Sequence, residues 1–214
     1  MAESLPTRHV AGILLTGGSS RRMGLDKASM PIDGVACAVR IARVLRRVVA
    51  DAVEVGPGVS GLPSVREKAP GNGPLVALCA GVEALEVAGS SVAALLLACD
   101  LPFVTDSVLA TLASWPGRHS VVPVVHGQPQ TLCARWSTDE LAEAPRLVAS
   151  GHRSMGSLLA RPGVELVDER AWPEPLDPRV LADIDTPADL ERLGLVAGTA
   201  DSRTCVSPEE RRHG

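Results

Sequence analysis

The segment Leu15-Thr16-Gly17-Gly18-Ser19-Ser20-Arg21-Arg22-Met23-Gly24-Leu25-Asp26-Lys27 gathers the groups that bind phosphate. Glycines let backbone N–H groups approach an anion without side-chain hindrance, and successive N–H groups can form an anion-binding concavity. Arginine and lysine then neutralise the charge. The string is not an ordinary P-loop, which sets Lys directly after Gly and Ser or Thr directly after Lys. Here two residues separate Gly24 from Lys27, and Ala28 follows. It is not a GxGxxG dinucleotide loop either. The bland alternative is a mobile surface loop with solvated arginines. A second group lies far downstream, at Cys99-Asp100-Leu101-Pro102-Phe103. Asp100 closes an apolar run, and burying a carboxylate there is costly unless it is paired or bound to metal. Magnesium is held by one or two carboxylates plus substrate phosphates and water, which suits Asp100. Taken alone, Asp-x-Pro could equally be a turn or cap.

The elements that must position these residues are readable from periodicity. Val10 to Leu15 is an apolar run that reads as a buried strand, so the first string begins where a strand ends. Open α/β sheets bind ligands at that edge. Val35, Val39, Ala42, Leu45 and Val49 recur at helical spacing, with Arg40, Arg43, Arg46 and Arg47 as a solvated face. Ala52 to Val55 predicts a second strand. Pro74 opens a helix faced by Leu75, Leu78, Val82 and Leu85. Ser91 to Ala98 predicts the strand that delivers Asp100, and Thr105 caps the next helix. Alternation of apolar strands and amphipathic helices implies a parallel sheet covered on both sides. Further on, Ser120 to Val125 and Thr131 to Ala134 suggest strands joined by His126-Gly127-Gln128-Pro129 as a hairpin. A helix starts near Ser137, with Glu140 completing a capping box, and Pro145 should kink or end it. Val164 to Val167 reads as a strand, and Thr186-Pro187 starts a final helix.

The first string resembles the LxGGxSxRMGxDK signature of the molybdenum cofactor guanylyltransferase family, within the wider MobA-like nucleotidyltransferases. Thr16 stands at the usual alanine. Cys99 to Phe103 resembles the family's CDxPF/Y element, and Gly73-Pro74-Leu75 its GPLxG segment. The resemblance implies nucleotide contacts at Leu15, Thr16, Gly17, Gly18, Arg22 and Lys27, and Mg²⁺ and nucleotide at Asp100. Lys27, Arg22 and Asp100 are the implied catalytic residues. Asp183 to Leu190 resembles the family's N-x-N-T-P-E-[DE]-L segment with Asp for Asn twice. Asp183 or Asp185 could approach the metal or the acceptor; equally, Asp185 could belong to a loop capping the final helix. Ser150 to Ser154 resembles the Gly-x-Arg stretch on the acceptor side. Arg153 is therefore either a phosphate holder or a surface arginine. Two positions depart from the pattern: Val55 where the family often has Asn, and Lys68, next to Glu67, where it has Asp. Lys68 is kept as a nucleotide-binding candidate.

The implied activity is Mg²⁺-dependent transfer of GMP from GTP to the terminal phosphate of molybdenum cofactor (molybdopterin), releasing pyrophosphate. A phosphate monoester is largely dianionic at neutral pH, its second pKa being about 6, so the attack needs no general base. The implied partners are GTP, molybdenum cofactor, cofactor-delivery proteins and molybdoenzymes. Gly17-Gly18 favours guanylyl over cytidylyl transfer, since the cytidylyl relatives tend toward Leu-Ala-Ala-Gly. The alternatives are a cytidylyltransferase using CTP and a non-catalytic nucleotide-binding module. A sugar-phosphate nucleotidyltransferase is a further one, for which the chain is short. The fold class is α/β: a single-domain three-layer sandwich with a mostly parallel sheet and a Rossmann-like nucleotide-binding N-terminal half. It spans residues 1–197, and the polar tail 198–214 is expected to be disordered.

Composition agrees. The 214 residues are 45% apolar, which supports a packed core. Net charge is −4, with one Phe, no Tyr and three Trp, so neither a basic nucleic-acid surface nor an aromatic stacking platform is expected. Cys37, Cys79, Cys99, Cys133 and Cys205 are widely spaced and form no CxxC, as in a cytosolic chain without disulfides or structural zinc. Neither a signal peptide nor a membrane span is legible, and the expected location is cytoplasmic.

Overall fold

Every residue of Val10–Leu15 is buried, as a strand covered on both faces requires. The computed structural model describes residues 10–17, 27–67, 71–87, 93–174, 176–184 and 189. In chain order the elements are β1 (Val10–Leu15), β2 (Pro31–Ile32), β3 (Val35–Ala36), α1 (Cys37–Val48), β4 (Ala52–Val55), β5 (Ser64–Val65), α2 (Pro74–Val87) and β6 (Ala93–Ala98). Then follow α3 (Asp106–Ser114), β7 (Ser120–Val125), β8 (Gln128–Pro129), β9 (Cys133–Trp136), α4 (Thr138–Ala149), α5 (Gly156–Leu159) and β10 (Val164–Asp168).

The main sheet runs β10-β7-β9-β6-β1-β4-β5, with β8 paired to β7. It is parallel except around β8 and β9. Alternate residues of β1 feed two cores, the period of a strand. Val10 and Leu14 join Ile41 and Leu45 of α1 and Leu109 and Leu112 of α3. Ala11, Ile13 and Leu15 join Leu75 and Leu78 of α2 and Leu141 and Ala144 of α4. This is the expected three-layer sandwich. Gly81 lets α2 sit directly on β1, since a Cβ there would lie 2.7 Å from Ile13 Cγ2. That contact holds the middle of α2 directly against the middle of β1.

Several local readings are corrected. The helix expected from Val35 begins at Cys37, because Val35–Ala36 pairs with Pro31–Ile32 in a small hairpin. Asp33 and Gly34 both take positive φ, as a two-residue hairpin turn of the primed type demands. His126-Gly127 makes the same kind of turn between β7 and β8. Pro145 does not end α4, which continues to Ala149. Leu141 and Ala144 pin the helix to the sheet while Pro145 lies on its exposed side, so packing overrides propensity. At the start of α4 the Ser137 hydroxyl accepts from the Glu140 N–H. The reciprocal half of the capping box is absent, because the Ser137 N–H donates instead to Ser120 Oγ at 2.8 Å. The Glu140 carboxylate accepts from both serine hydroxyls.

Cys37, Cys99 and Cys133 are buried and Cys79 half-buried, all as free thiols. Burial pushes the Cys37 thiol up to about 11. Among the described residues no helix is long and apolar enough to cross a membrane. The expected final helix and tail lie outside the described residues, apart from Asp189.

Candidate functional site

The parallel register sets β1 between β4 and β6, so their carboxyl ends open on one edge. A cavity of about 250 Å³ lies there, lined by Leu15, Thr16, Gly17, Lys27, Asp100 and Glu67 among others. Gly71, Gly73, Pro74 and Ala77, at the start of α2, close one side, and Ala98, Cys99 and Leu132 another. Placement at this edge is where open α/β sheets hold ligands.

Lys27 and Asp100, 73 residues apart, meet in this cavity: Lys27 Nζ lies 3.2 Å from Asp100 Oδ2. Their side chains keep only 10% and 22% of their surface. Local structure fixes both. Lys27 starts a short 3₁₀ helix whose Ala28 is fully buried, and the Met30 N–H donates to the Lys27 carbonyl. Asp100 follows β6, and its carbonyl accepts from the Ile184 N–H at 3.0 Å. Ile184 is itself buried with Met30, Ile32 and Cys37. The C-terminal segment thus clamps the Asp100 turn and brings Asp183 near it. Burial pushes the Asp100 carboxyl above its ordinary range. Lys27 pulls it back only in part, and the Asp183 charge adds to the rise.

The loop after β1 is held from below. The Thr16 and Gly17 N–H groups both donate to the Val55 carbonyl, at 3.1 and 3.2 Å. The Gly17 N–H is therefore not a free phosphate donor; what Gly17 offers the cavity is room. The Thr16 hydroxyl donates to the buried carboxylate of Glu54. Val55 is a core residue, and its side chain faces α2 rather than the cavity.

The start of α2 is built by a long-range contact. The Leu75 N–H donates to the Arg153 carbonyl at 3.1 Å. Gly73 has φ +96°, and a Cβ on it would lie 2.6 Å from that carbonyl. The Arg153 guanidinium turns the other way and donates from Nη1 to the carbonyls of Val148 and His152, each at 2.8 Å. Its exposed side chain thus caps α4, while its backbone supports the cavity wall. Gly18, Arg22, Lys68 and Asp185 lie outside the described residues.

Three contributors escaped the sequence reading. Glu67 lines the cavity and accepts from the Gly71 N–H at 3.1 Å. Leu132 supplies an apolar wall. Glu54 sits underneath. Two signals could have been heeded: the acidic residue inside an apolar strand at 54, and Glu67 beside the position where the resembled family has an aspartate.

Comparison with known proteins agrees with this geometry. The MobA-like NTP transferase domain model matches residues 12–172. A Mycolicibacterium paratuberculosis protein named "Probable molybdenum cofactor guanylyltransferase" is 34% identical over 204 residues, covering 90% of this chain and 98% of that protein. A Chloroflexus aggregans protein of the same name is 28% identical, over 90% and 97% of the two chains. The structure titled molybdopterin-guanine dinucleotide biosynthesis protein A from Archaeoglobus fulgidus superposes with a TM-score of 0.69. It is 21% identical, over 86% of this chain and 96% of that one, and so bears on the fold. With its paired lysine and aspartate at the edge of a sheet of this topology, the chain belongs to the family of MobA-like NTP transferase domains.

Proposed function

We propose that the protein transfers GMP from GTP to the terminal phosphate of molybdenum cofactor, releasing pyrophosphate. The observation that carries the reading is the Lys27–Asp100 pair inside the cavity at the end of β1. The names of the relatives support the acceptor and the nucleotide.

Nucleotidyl transfer asks mainly for positioning and charge neutralisation. Lys27 is placed to hold triphosphate oxygens, and Gly17 leaves space for them. An acceptor phosphate that is already dianionic attacks the α-phosphorus directly, and pyrophosphate departs from the opposite side. The bond from the α-phosphorus to the α,β-bridging oxygen breaks and its electron pair leaves on pyrophosphate, so no protein base is needed. Arg22, by its place in the phosphate string, adds a second cation. The donor set suits Mg²⁺, with Asp100 as the residue that would hold it and the Asp183 charge nearby. Among the described residues no three potential ligands gather, which fits an ion completed by substrate phosphate and water. When bound, Mg²⁺ supplies neutralisation of phosphate charge.

Base choice has one candidate in the cavity wall. Glu67 is acceptor-only when ionised, and guanine presents two adjacent donors, N1–H and the 2-amino group. Cytosine presents one amino donor at the end of its edge, followed by two acceptors. Glu67→Gln is expected to lower the GTP-over-CTP ratio of kcat/KM by about 10- to 100-fold, the range of one charge-assisted hydrogen bond. An unchanged ratio would remove Glu67 from base recognition.

The reaction itself is tested by incubating the protein with Mg²⁺, molybdenum cofactor and each of GTP, CTP, ATP and UTP, measuring dinucleotide and pyrophosphate. Product with GTP is the expected result. Product with CTP alone would overturn the nucleotide, and nucleotide binding without any product would overturn the acceptor or the enzyme reading.

A further inference from the structure

Glu54 is fully buried, with no surface exposed, yet among the described residues its carboxylate is held by neutral donors rather than by a cation. Oε1 accepts from the Thr16 hydroxyl at 2.5 Å, the Gly58 N–H at 2.7 Å and the Val59 N–H at 3.0 Å. Oε2 accepts from the Ser60 N–H at 2.8 Å. Burial alone would push this carboxyl up. Hydrogen bonds from Ser60, Thr16 and Val59 outweigh burial and hold it below the ordinary range, so it stays ionised.

A buried negative charge beneath a phosphate-binding edge is an odd thing to keep. A methionine or leucine would fill the space without repelling a triphosphate. What the carboxylate adds is geometry. It collects three successive N–H groups of the loop after β4 and ties that loop to the residue that opens the loop after β1. Gly56 completes the fit: with φ +155°, a Cβ there would fall 2.1 Å from Thr16 Oγ1 and 2.8 Å from the Gly17 nitrogen. The family position held by alanine is Thr16 in this chain, and the one hydroxyl this adds is the one Glu54 uses. The Val55 carbonyl adds two backbone bonds in the same place.

We propose that Glu54 and Thr16 form a buried latch that sets the position of the nucleotide-binding loop, with Glu54 a positioning residue that itself touches no substrate. The inference rests on the nucleotide-binding reading of this cavity. The latch acts on the ground-state seat of the nucleotide rather than on the reacting phosphorus. Its loss should therefore raise KM for GTP and leave kcat and the acceptor KM close to wild type.

The test uses the full chain and the variants Thr16→Val, Thr16→Ser, Glu54→Gln and the Thr16→Val/Glu54→Gln double variant. GTP affinity is measured by calorimetry beside the steady-state constants, with thermal unfolding to confirm folding. Thr16→Val keeps the shape and removes the hydroxyl; KM and Kd for GTP are expected to rise about tenfold, as for one charge-assisted hydrogen bond. Thr16→Ser restores the hydroxyl and should return both to within about twofold of wild type. The double variant should bind no worse than the weaker single variant, because both break one latch. A folded Thr16→Val with wild-type Kd and KM overturns the latch. So does a Thr16→Ser that binds as poorly as Thr16→Val. Wild-type protein that binds GTP without turnover overturns the reaction reading alone, and the latch is then judged on Kd. Wild-type protein that binds no nucleoside triphosphate overturns both.

Discussion

Replacing Asp100 with asparagine is expected to lower kcat by roughly 10²–10³-fold while GTP binding falls far less. The side chain keeps its shape and its place after β6, because that turn is held by the Ile184 N–H on the Asp100 carbonyl rather than by the carboxylate. What disappears is the full negative charge. Asparagine still offers one oxygen, but a neutral amide is a poor site for a hard dication beside a polyphosphate. The measurement is single-turnover formation of product across a Mg²⁺ titration. Wild-type kcat in the variant would sink the assignment of Asp100 to the metal. The wild-type pH profile supplies a second check. Asp100 must be ionised to act, and burial raises its pKa with Lys27 offsetting only part. The acid limb of kcat/KM therefore lies above the ordinary aspartate pKa of about 3.9. Activity is lost as pH falls through that raised value and regained as pH rises above it. In Asp100→Asn the same limb should vanish.

Replacing Lys27 with methionine is expected to cost about 10²–10³-fold in kcat/KM, with more of the loss in GTP binding than for Asp100→Asn. Methionine keeps much of the buried stem, so packing around the start of the 3₁₀ helix survives. The ammonium does two jobs in succession. Without nucleotide it lies 3.2 Å from Asp100 and favours the ionised carboxylate. With nucleotide it is placed to hold phosphate. Its removal therefore moves the Asp100 pKa further up, since the charge and the hydrogen bond of Lys27 both oppose burial and both are gone. The acid limb of whatever activity remains should shift to higher pH than in wild type. A limb that stays in place would show that the pair seen here does not govern the protonation of Asp100. A shift to lower pH would contradict the electrostatics outright.

The two variants also separate enzyme from binding module. A non-catalytic nucleotide binder would lose affinity with Lys27→Met and be indifferent to Asp100→Asn. A nucleotidyltransferase loses turnover with both.

Much of this protein was legible in its residues. The composition of Leu15 to Lys27 pointed to phosphate, because its glycines and cations follow directly on a buried strand. Asp100 stood out because a carboxylate closing the run Ala93 to Ala98 must be paired or metal-bound. The burial of β1 and β6, the Pro74 start of α2 and the Thr105 cap of α3 followed from period, ring geometry and side-chain chemistry that act within a few residues. These are local physics, and a chain carries them wherever it goes. The structure altered what depends on distant neighbours. Val35 looked helical by spacing, but Asp33-Gly34 turned it into a hairpin. Arg153 read as either a phosphate holder or a surface arginine; its guanidinium bonds the carbonyls of Val148 and His152, and its backbone supports α2. Thr16 lines the cavity, and its hydroxyl turns down to Glu54. Val55 faces the core against α2 because β4 pairs with β1 in one register and not the next. A shift by one residue would exchange the faces of the strand. Which donor meets which acceptor across 38 or 73 residues is set by that register and by the packing of helices upon it, and no local pattern contains it.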